Sequence, residues 1–182
     1  MDTGLLIIRV VVGLLIAGHG VQKVSHHLGG NGLSGGTAEF EHDGFRGGTL
    51  TALAAGAGQI GSGLFLALGA LTPLAAMVAM GVMTVAITVK VPHGLWVQND
   101  GYEYPLVLVA VTGSLALTGA GRLSVDHAVG LTSWPLWLVI PAAVFGPVSG
   151  LLTRAVLHRA DPSADPSAGA AAGAAAGARA AD

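Results

Sequence analysis

Five apolar stretches, separated by polar or glycine-rich segments, follow one another along the chain. They occupy approximately residues 5–22, 50–71, 72–89, 103–118 and 133–152. A helix needs about 20 mainly apolar residues to cross the hydrocarbon core of a bilayer. The pattern therefore predicts an all-α fold, a polytopic membrane helix bundle with a four-helix core plus a fifth C-terminal span.

The chain divides into three predicted parts. Residues 1–130 are the four-helix membrane core, and residues 131–159 are an additional C-terminal transmembrane helix, interrupted by Pro141 and Pro147. Residues 160–182 contain mostly Ala, Gly, Pro and Ser. This last part has no apolar face to bury, which predicts a disordered tail, with a transient Ala-rich helix as the alternative.

The segments between and within the early spans carry local signals. Residues 37–41 can form one or two helical turns, because Thr37 is a usable N-cap and carboxylates favour a first turn; a solvated loop is the alternative. Phe40 and Phe45 are expected to anchor this segment at the membrane interface. In the second span, Ala57 and Gly61 have the small-xxx-small spacing that favours close helix packing in lipid.

Composition supports a membrane protein and excludes several functions. Of the 182 residues, 52% are hydrophobic and only 10% are charged, whereas soluble domains have about 25% charged residues. A net charge of −2 gives no basic footprint for nucleic acid. The chain has no cysteine, which excludes disulfides, iron–sulfur ligation and thiol redox catalysis by its own residues. The first apolar stretch lacks a basic leader and an Ala-x-Ala site, so we expect a retained span.

The distribution of cations predicts an orientation in the cell membrane. Five spans place the two termini on opposite sides, and one side collects most of the cations: Lys23, Arg46, Lys90, Arg154 and Arg159. The other side has Arg122, plus Arg9 if its side chain reaches back to that surface. The positive-inside rule then predicts a multi-pass protein whose C-terminal tail lies in the cytoplasm.

Arg9 lies about one turn into the first span, where a charge needs a partner or access to water. Its side chain either extends to the near surface or forms an ion pair with Asp126. Asp126 returns to the same side of the membrane after the fourth span. Arg9 and Asp126 are therefore the candidate ion pair.

At the opposite end of the bundle, polar side chains from several segments are expected to gather. The candidate polar pocket consists of His19, Gln22, Lys23, Gln59, His93 and Glu103. One interpretation is a ligand or proton-handling site in which Glu103 or His19 titrates. The alternative is that these groups cap helix ends and form hydrogen bonds across the bundle. Metal or haem ligation is disfavoured because the His spacings match no zinc motif, and no catalytic residue is identified.

Motifs along residues 4–130 resemble those of the DoxX family. They are Arg9 with Gly13, His19-Gly20-x-Gln22-Lys23, Gly32-Leu33, Thr37-Ala38, Phe40-Glu41, Gln59-Ile-Gly61-Ser-Gly63 through Thr72-Pro73, His93, Glu103 and Gly121-Arg122-Leu-Ser124-Val-Asp126. The family usually has an acid at the position of Gln59, so its proton chemistry does not transfer to that site. The resemblance implies a bacterial inner-membrane protein associated with quinol oxidation or with responses to oxidative stress.

Three hypotheses follow from these observations. The first is a non-catalytic subunit or scaffold of a redox or oxidative-stress assembly, with redox-enzyme subunits as partners and a homo-oligomer as a further option. The second is a quinone- or small-molecule-binding protein or transporter that uses the polar pocket; quinone is the only cofactor it suggests. In the third, the buried polar groups only join helices, and the tail or the glycine-rich loop carries the function.

Overall fold

The structure, a computed structural model, describes residues 2–131 and 133–158, and in this part of the chain every regular element is a helix. Three single 3-10 turns lie in the connections, at His27–Gly29, Val91–His93 and Val97–Asn99. The α-helices are α1 (Asp2–Val24), α2 (Gly32–His42), α3 (Thr49–Leu68), α4 (Thr72–Lys90), α5 (Glu103–Thr118), α6 (Val125–Ala128) and α7 (Leu136–Leu157). The predicted all-α membrane bundle is confirmed.

Helices α1, α3, α4 and α7 are long and apolar enough to cross a membrane. Helix α5 is also apolar, but it has only 16 residues and is about 24 Å long. Its bounds agree with the predicted fourth span. Residues 160–182, for which a disordered tail is predicted, lie outside the described residues.

Successive long helices run in opposite directions and give the bundle two ends. The start of α1, the α3–α4 turn, the end of α5 and α6 meet at one end, which we call the Arg9 end. The end of α1, α2, the start of α5 and the end of α7 meet at the other, the His19 end. Each polar connection therefore lies at one of two membrane surfaces.

Glycines allow two pairs of helices to pack closely. Gly13 and Gly20 of α1 face Gly63 and Gly56 of α3, and a Cβ at Gly63 would lie 2.6 Å from the amide nitrogen of Ala17. The prediction that Ala57 and Gly61 allow close packing against another helix is wrong, because Ala57 is exposed and nothing lies within 4 Å of a Cβ at Gly61. The glycines that pack against α1 lie on the opposite face of α3.

The C-terminal helix is an integral part of the bundle. Gly146 and Gly150 of α7 lie against Met80 and Gly81 of α4. Helix α7 begins at Leu136 and continues through both internal prolines to Leu157. The predicted interruption is therefore wrong; transmembrane helices tolerate proline where neighbouring groups compensate for the lost backbone hydrogen bond.

The glycine-rich connection forms a full helix, α2, instead of one or two turns. Phe40 and Phe45 are buried edge to face, with their ring centroids 5.7 Å apart, and pack with Ala52 and Leu157. They therefore anchor α2 to the bundle, and the prediction that they anchor it to the lipid interface is wrong. The end of α7 closes over this cluster, since the Arg46 amide donates to the Leu157 carbonyl at 2.7 Å.

The substitution Gly63→Ala is expected to destabilise the bundle by about 1–3 kcal/mol, because the added methyl group overpacks the α1–α3 contact. The matched control is Gly61→Ala on the same helix, which meets open space. It is expected to be neutral or stabilising by about 0.5–1 kcal/mol, since alanine favours a helix over glycine. Unfolding in detergent followed by circular dichroism measures both, and equal effects would contradict the proposed packing.

Candidate functional site

Arg9 is completely buried in the Arg9 end of the bundle. Its Nη2 donates to the carbonyl oxygen of Leu123, in the connection between α5 and α6. Within the described residues, its Nε and Nη1 have no hydrogen-bond partner. Gly69, the left-handed residue that ends α3 (φ 65°), lies directly against this guanidinium, and a side chain there would collide with it. Arg9 therefore does not extend to the surface.

Asp126 is also buried, and its carboxylate holds the turn between α3 and α4. Oδ1 accepts the Leu71 amide at 2.7 Å, and Oδ2 accepts both the amide and the hydroxyl of Thr72, at 3.0 and 2.8 Å. The Trp134 indole nitrogen donates to Oδ2 at 3.3 Å. Leu71 has a left-handed conformation (φ 46°), which is costly for a non-glycine residue. Asp126 thus caps α4 from 54 residues away and stabilises a strained turn.

The predicted Arg9–Asp126 ion pair is not a direct contact. The two residues lie at the same end of the bundle, but the ion pairs within 4.0 Å among the described residues do not include them. Arg9 Nη2 instead donates to the carbonyl of Leu123, and the Asp126 carboxylate accepts from the amides of Leu71 and Thr72 in a different turn. The charges are therefore used to hold turns in place.

The His19 end contains a polar cavity of about 350 Å³ between α1 and α2. It is lined by His19, Gln22, Lys23, Gly29, Gly30, Asn31, Gly35, Gly36 and Glu39. Three of the six predicted pocket residues therefore come together here. The structure adds the glycines of the connection, whose lack of side chains leaves the space open.

Two pairs of side chains hold the wall of this cavity. The Lys23 ammonium lies 2.9 Å from both carboxylate oxygens of Glu39 and 5.1 Å from the ring centroid of Phe40. His19 Nε2 lies 3.1 Å from the hydroxyl oxygen of Tyr104 on α5. Gln22 is turned toward the 3-10 segment, where its Nε2 donates to the Leu28 carbonyl at 2.7 Å.

The other three predicted residues do not line this cavity. Glu103 accepts the Val97 amide at 3.1 Å, and His93 lies 3.5 Å from Asp100; both stabilise the α4–α5 connection. A hydrogen bond from Lys90, together with the nearby His93, holds the pKa of the Asp100 carboxyl below its ordinary value. Of the predicted pocket residues, His93 and Glu103 therefore belong to the α4–α5 connection and not to the cavity near His19.

Gln59 is buried within α3, and its Oε1 is without a hydrogen-bond partner in the part of the chain that the structure describes. The same part contains no group of three His, Asp or Glu side chains placed to hold a metal ion. Gln59 is thus a buried amide of the bundle interior, apart from the cavity near His19.

Three residues that form hydrogen bonds at these sites were not predicted from the sequence: Glu39, Tyr104 and Trp134. Their partners lie 16, 85 and 8 residues away, on other elements. Glu39 had a signal, since it falls in the segment with helical potential after Thr37. Tyr104 and Trp134 have no comparable local signal, because their hydrogen bonds depend on how the helices pack.

Part of the chain matches a known protein family. The DoxX family model matches residues 4–92, which contain nearly all of α1 and the whole of α2, α3 and α4. No curated protein and no solved structure matches the chain. The matched region includes Arg9, His19, Gln22, Lys23 and Gln59, whereas Asp126 and α5 to α7 lie beyond it.

The substitution Asp126→Ala is expected to lower stability by about 1–3 kcal/mol or more, because it leaves the buried amides of the α3–α4 turn without an acceptor. Asp126→Asn keeps one acceptor oxygen and is expected to fall between Asp126→Ala and the unsubstituted chain. The matched control is Asp43→Ala, which removes a carboxylate at the other end without exposing a capped turn. Thermal unfolding in detergent measures all three, and an Asp126→Ala midpoint equal to that of the control would contradict the capping role.

Proposed function

The chain belongs to the DoxX family, and from this premise we propose that it is a non-catalytic subunit or scaffold of a membrane assembly for redox or oxidative-stress reactions. It is a multi-pass membrane protein of four long apolar helices and the shorter α5. In the proposed role, the bundle provides a stable apolar surface against which redox-enzyme subunits or a second copy assemble.

The observation that carries this proposal is the way the hydrophilic side chains are used. Arg9, Asp126, Gln22 and Glu103 each bind backbone groups of a turn. Lys23 is paired with Glu39. A catalytic group must keep an atom available to the substrate, whereas these groups stabilise the connections that set helix positions. Such use supports a structural role in an assembly.

We expect site-specific photocrosslinking in native bacterial membranes to identify the partner. A photoreactive amino acid replaces Val144, which is 55% exposed on the lipid-facing side of α7. The expected product is a crosslink to a protein that carries a flavin or haem. The matched control replaces Ile16, which is completely buried and should give only intrachain products. Recovery of the Val144 variant as a lone chain, or crosslinked only to itself, would contradict a redox partner.

The His19 end and the tail are proposed to face the cytoplasm. This end has Lys23, Arg46, Lys90 and Arg154, whereas Arg122 lies at the Arg9 end. Because the chain has no cysteine, single cysteines at exposed His42 and Ala128 can report the topology. A membrane-impermeant maleimide added to intact cells is expected to label the cysteine at 128 and spare the one at 42; the opposite result would reverse the orientation.

A second candidate function is binding of a quinone or another small polar molecule in the cavity lined by His19. The cavity favours it, because about 350 Å³ suffices for a small head group and its wall offers imidazole, amide and ammonium groups. The cavity also lies at an end of the bundle, where a quinone head group can enter from the membrane. This function is compatible with a redox assembly.

His19→Ala is expected to weaken binding of a one-isoprene ubiquinone by about tenfold, the effect of one lost hydrogen bond in a part-buried site. Glu103→Gln is the matched control, since Glu103 lies outside the cavity, and it should bind as the unsubstituted chain does. Calorimetric titration in detergent measures the affinities. Unchanged binding in the His19→Ala variant would rule out this cavity as the quinone site.

A further inference from the structure

A second cavity, of about 320 Å³, lies at the Arg9 end between the end of α5, α6 and the start of α7. One wall is apolar and comes from Ala116 and Leu117 of α5, Val139 of α7, and Leu131 in the connection between α6 and α7. The other wall is polar and comes mainly from the connections: Thr118, Arg122, Ser124, Asp126, His127 and Ser133. Trp134 closes the cavity between the two walls. The cavity is thus amphipathic, and its apolar side faces the membrane-spanning helices.

The short helix α5 places polar backbone next to this cavity. Its length of about 24 Å is less than the hydrocarbon thickness of about 30 Å. Non-helical residues 119–124 make up the difference, and backbone at this depth requires partners or a hydrated cavity. Some groups are satisfied by side chains, since Arg9 donates to the Leu123 carbonyl and Asp2 accepts the Arg122 amide at 3.0 Å. Residues 119–122 also line the cavity, so polar backbone groups of this connection form part of its wall.

The hydrogen-bond donors that remain available at the cavity favour an anionic group. Two carboxylates also line the cavity, but both are bound: Asp126 accepts four hydrogen bonds, and Asp2 accepts the Arg122 amide. The Arg122 and His127 side chains are exposed, and across residues 2–131 and 133–158 no carboxylate lies within 4.0 Å of either. The rim thus presents a guanidinium and an imidazole whose donors are available to a ligand.

We propose that this cavity binds a phospholipid. Arg122 and His127 contact its phosphate, Ser124 and Ser133 line the head-group space, and the first part of an acyl chain lies along Leu117 and Val139. Guanidinium groups recognise phosphate with two parallel hydrogen bonds, which gives the contact both strength and orientation. The bound head group would complete the polar surroundings of the connection after α5.

The test is native mass spectrometry of the full chain in detergent, with phosphatidylglycerol and with diacylglycerol of the same acyl chains. Phosphatidylglycerol is expected to remain bound about thirtyfold more than diacylglycerol, since the two basic side chains each contribute roughly 1 kcal/mol toward an anionic head group. The double variant R122Q/H127Q is expected to lose this preference. The matched control H42Q/R46Q removes one exposed histidine and one exposed arginine at the opposite end, and it should keep the preference.

A third variant, Ser133→Trp, fills the cavity without removing a charge and is also expected to reduce phosphatidylglycerol retention. It keeps the test decisive if the double variant does not fold. Equal retention of the two lipids by the unsubstituted chain would overturn the proposal. So would equal losses in R122Q/H127Q and H42Q/R46Q, or displacement of the lipid by inorganic phosphate at an equal concentration, which would indicate a site for free anions.

Discussion

The rest of the structure depends on the buried carboxylate of Asp126. In a membrane bundle, an unsatisfied polar group costs several kcal/mol, so a buried acid persists only where donors surround it. The α3–α4 turn provides those donors because Leu71 takes a left-handed conformation and directs its amide, with that of Thr72, toward the carboxylate. The Asp126 amide in return donates to the Gly69 carbonyl at 2.9 Å. One residue, through its side chain and its backbone amide, thereby joins the end of α3, α4, α6 and, through Trp134, the approach to α7.

Arg9 acts on the neighbouring connection in the same way. It donates to the Leu123 carbonyl, and Gly69 must lack a side chain to make room for its guanidinium. The opposite charges at this end thus stabilise the structure without a direct ion pair. The opposite charges at the His19 end do form a direct ion pair. Lys23 and Glu39 lie 2.9 Å apart where α2 covers the end of α1. The difference follows from position: Glu39 is exposed to solvent, whereas Asp126 is buried and surrounded by amides.

These contacts give the two ends of the molecule different structures. The His19 end combines a polar cavity with the cluster of Phe40 and Phe45, so α2 both lines the cavity and packs on the bundle. The Arg9 end combines a capped turn with an amphipathic cavity beside a short helix. A scaffold role draws on the outer apolar surface, and both cavities remain available for small amphiphiles or head groups.

The sequence by itself determined the class and the order of the elements. Apolar stretches long enough for a bilayer identified the membrane bundle, the bounds of α5 and the position of Pro73 at the start of α4, because hydropathy and proline act locally. It also identified Arg9 and Asp126 as charged residues that need partners inside the bundle.

Only the tertiary structure decided which groups are the partners of Arg9 and Asp126. Leu123, Leu71 and Tyr104 are ordinary residues in sequence, and they become partners because packing through Gly13, Gly56 and Gly63 sets the distance and rotation of the helices. For the same reason the predicted pocket residues do not all lie together. His19 and Glu103 lie at one end of the bundle but face different connections. The rotation of each helix about its axis decides this, and the spacing of hydrophobic residues did not predict it.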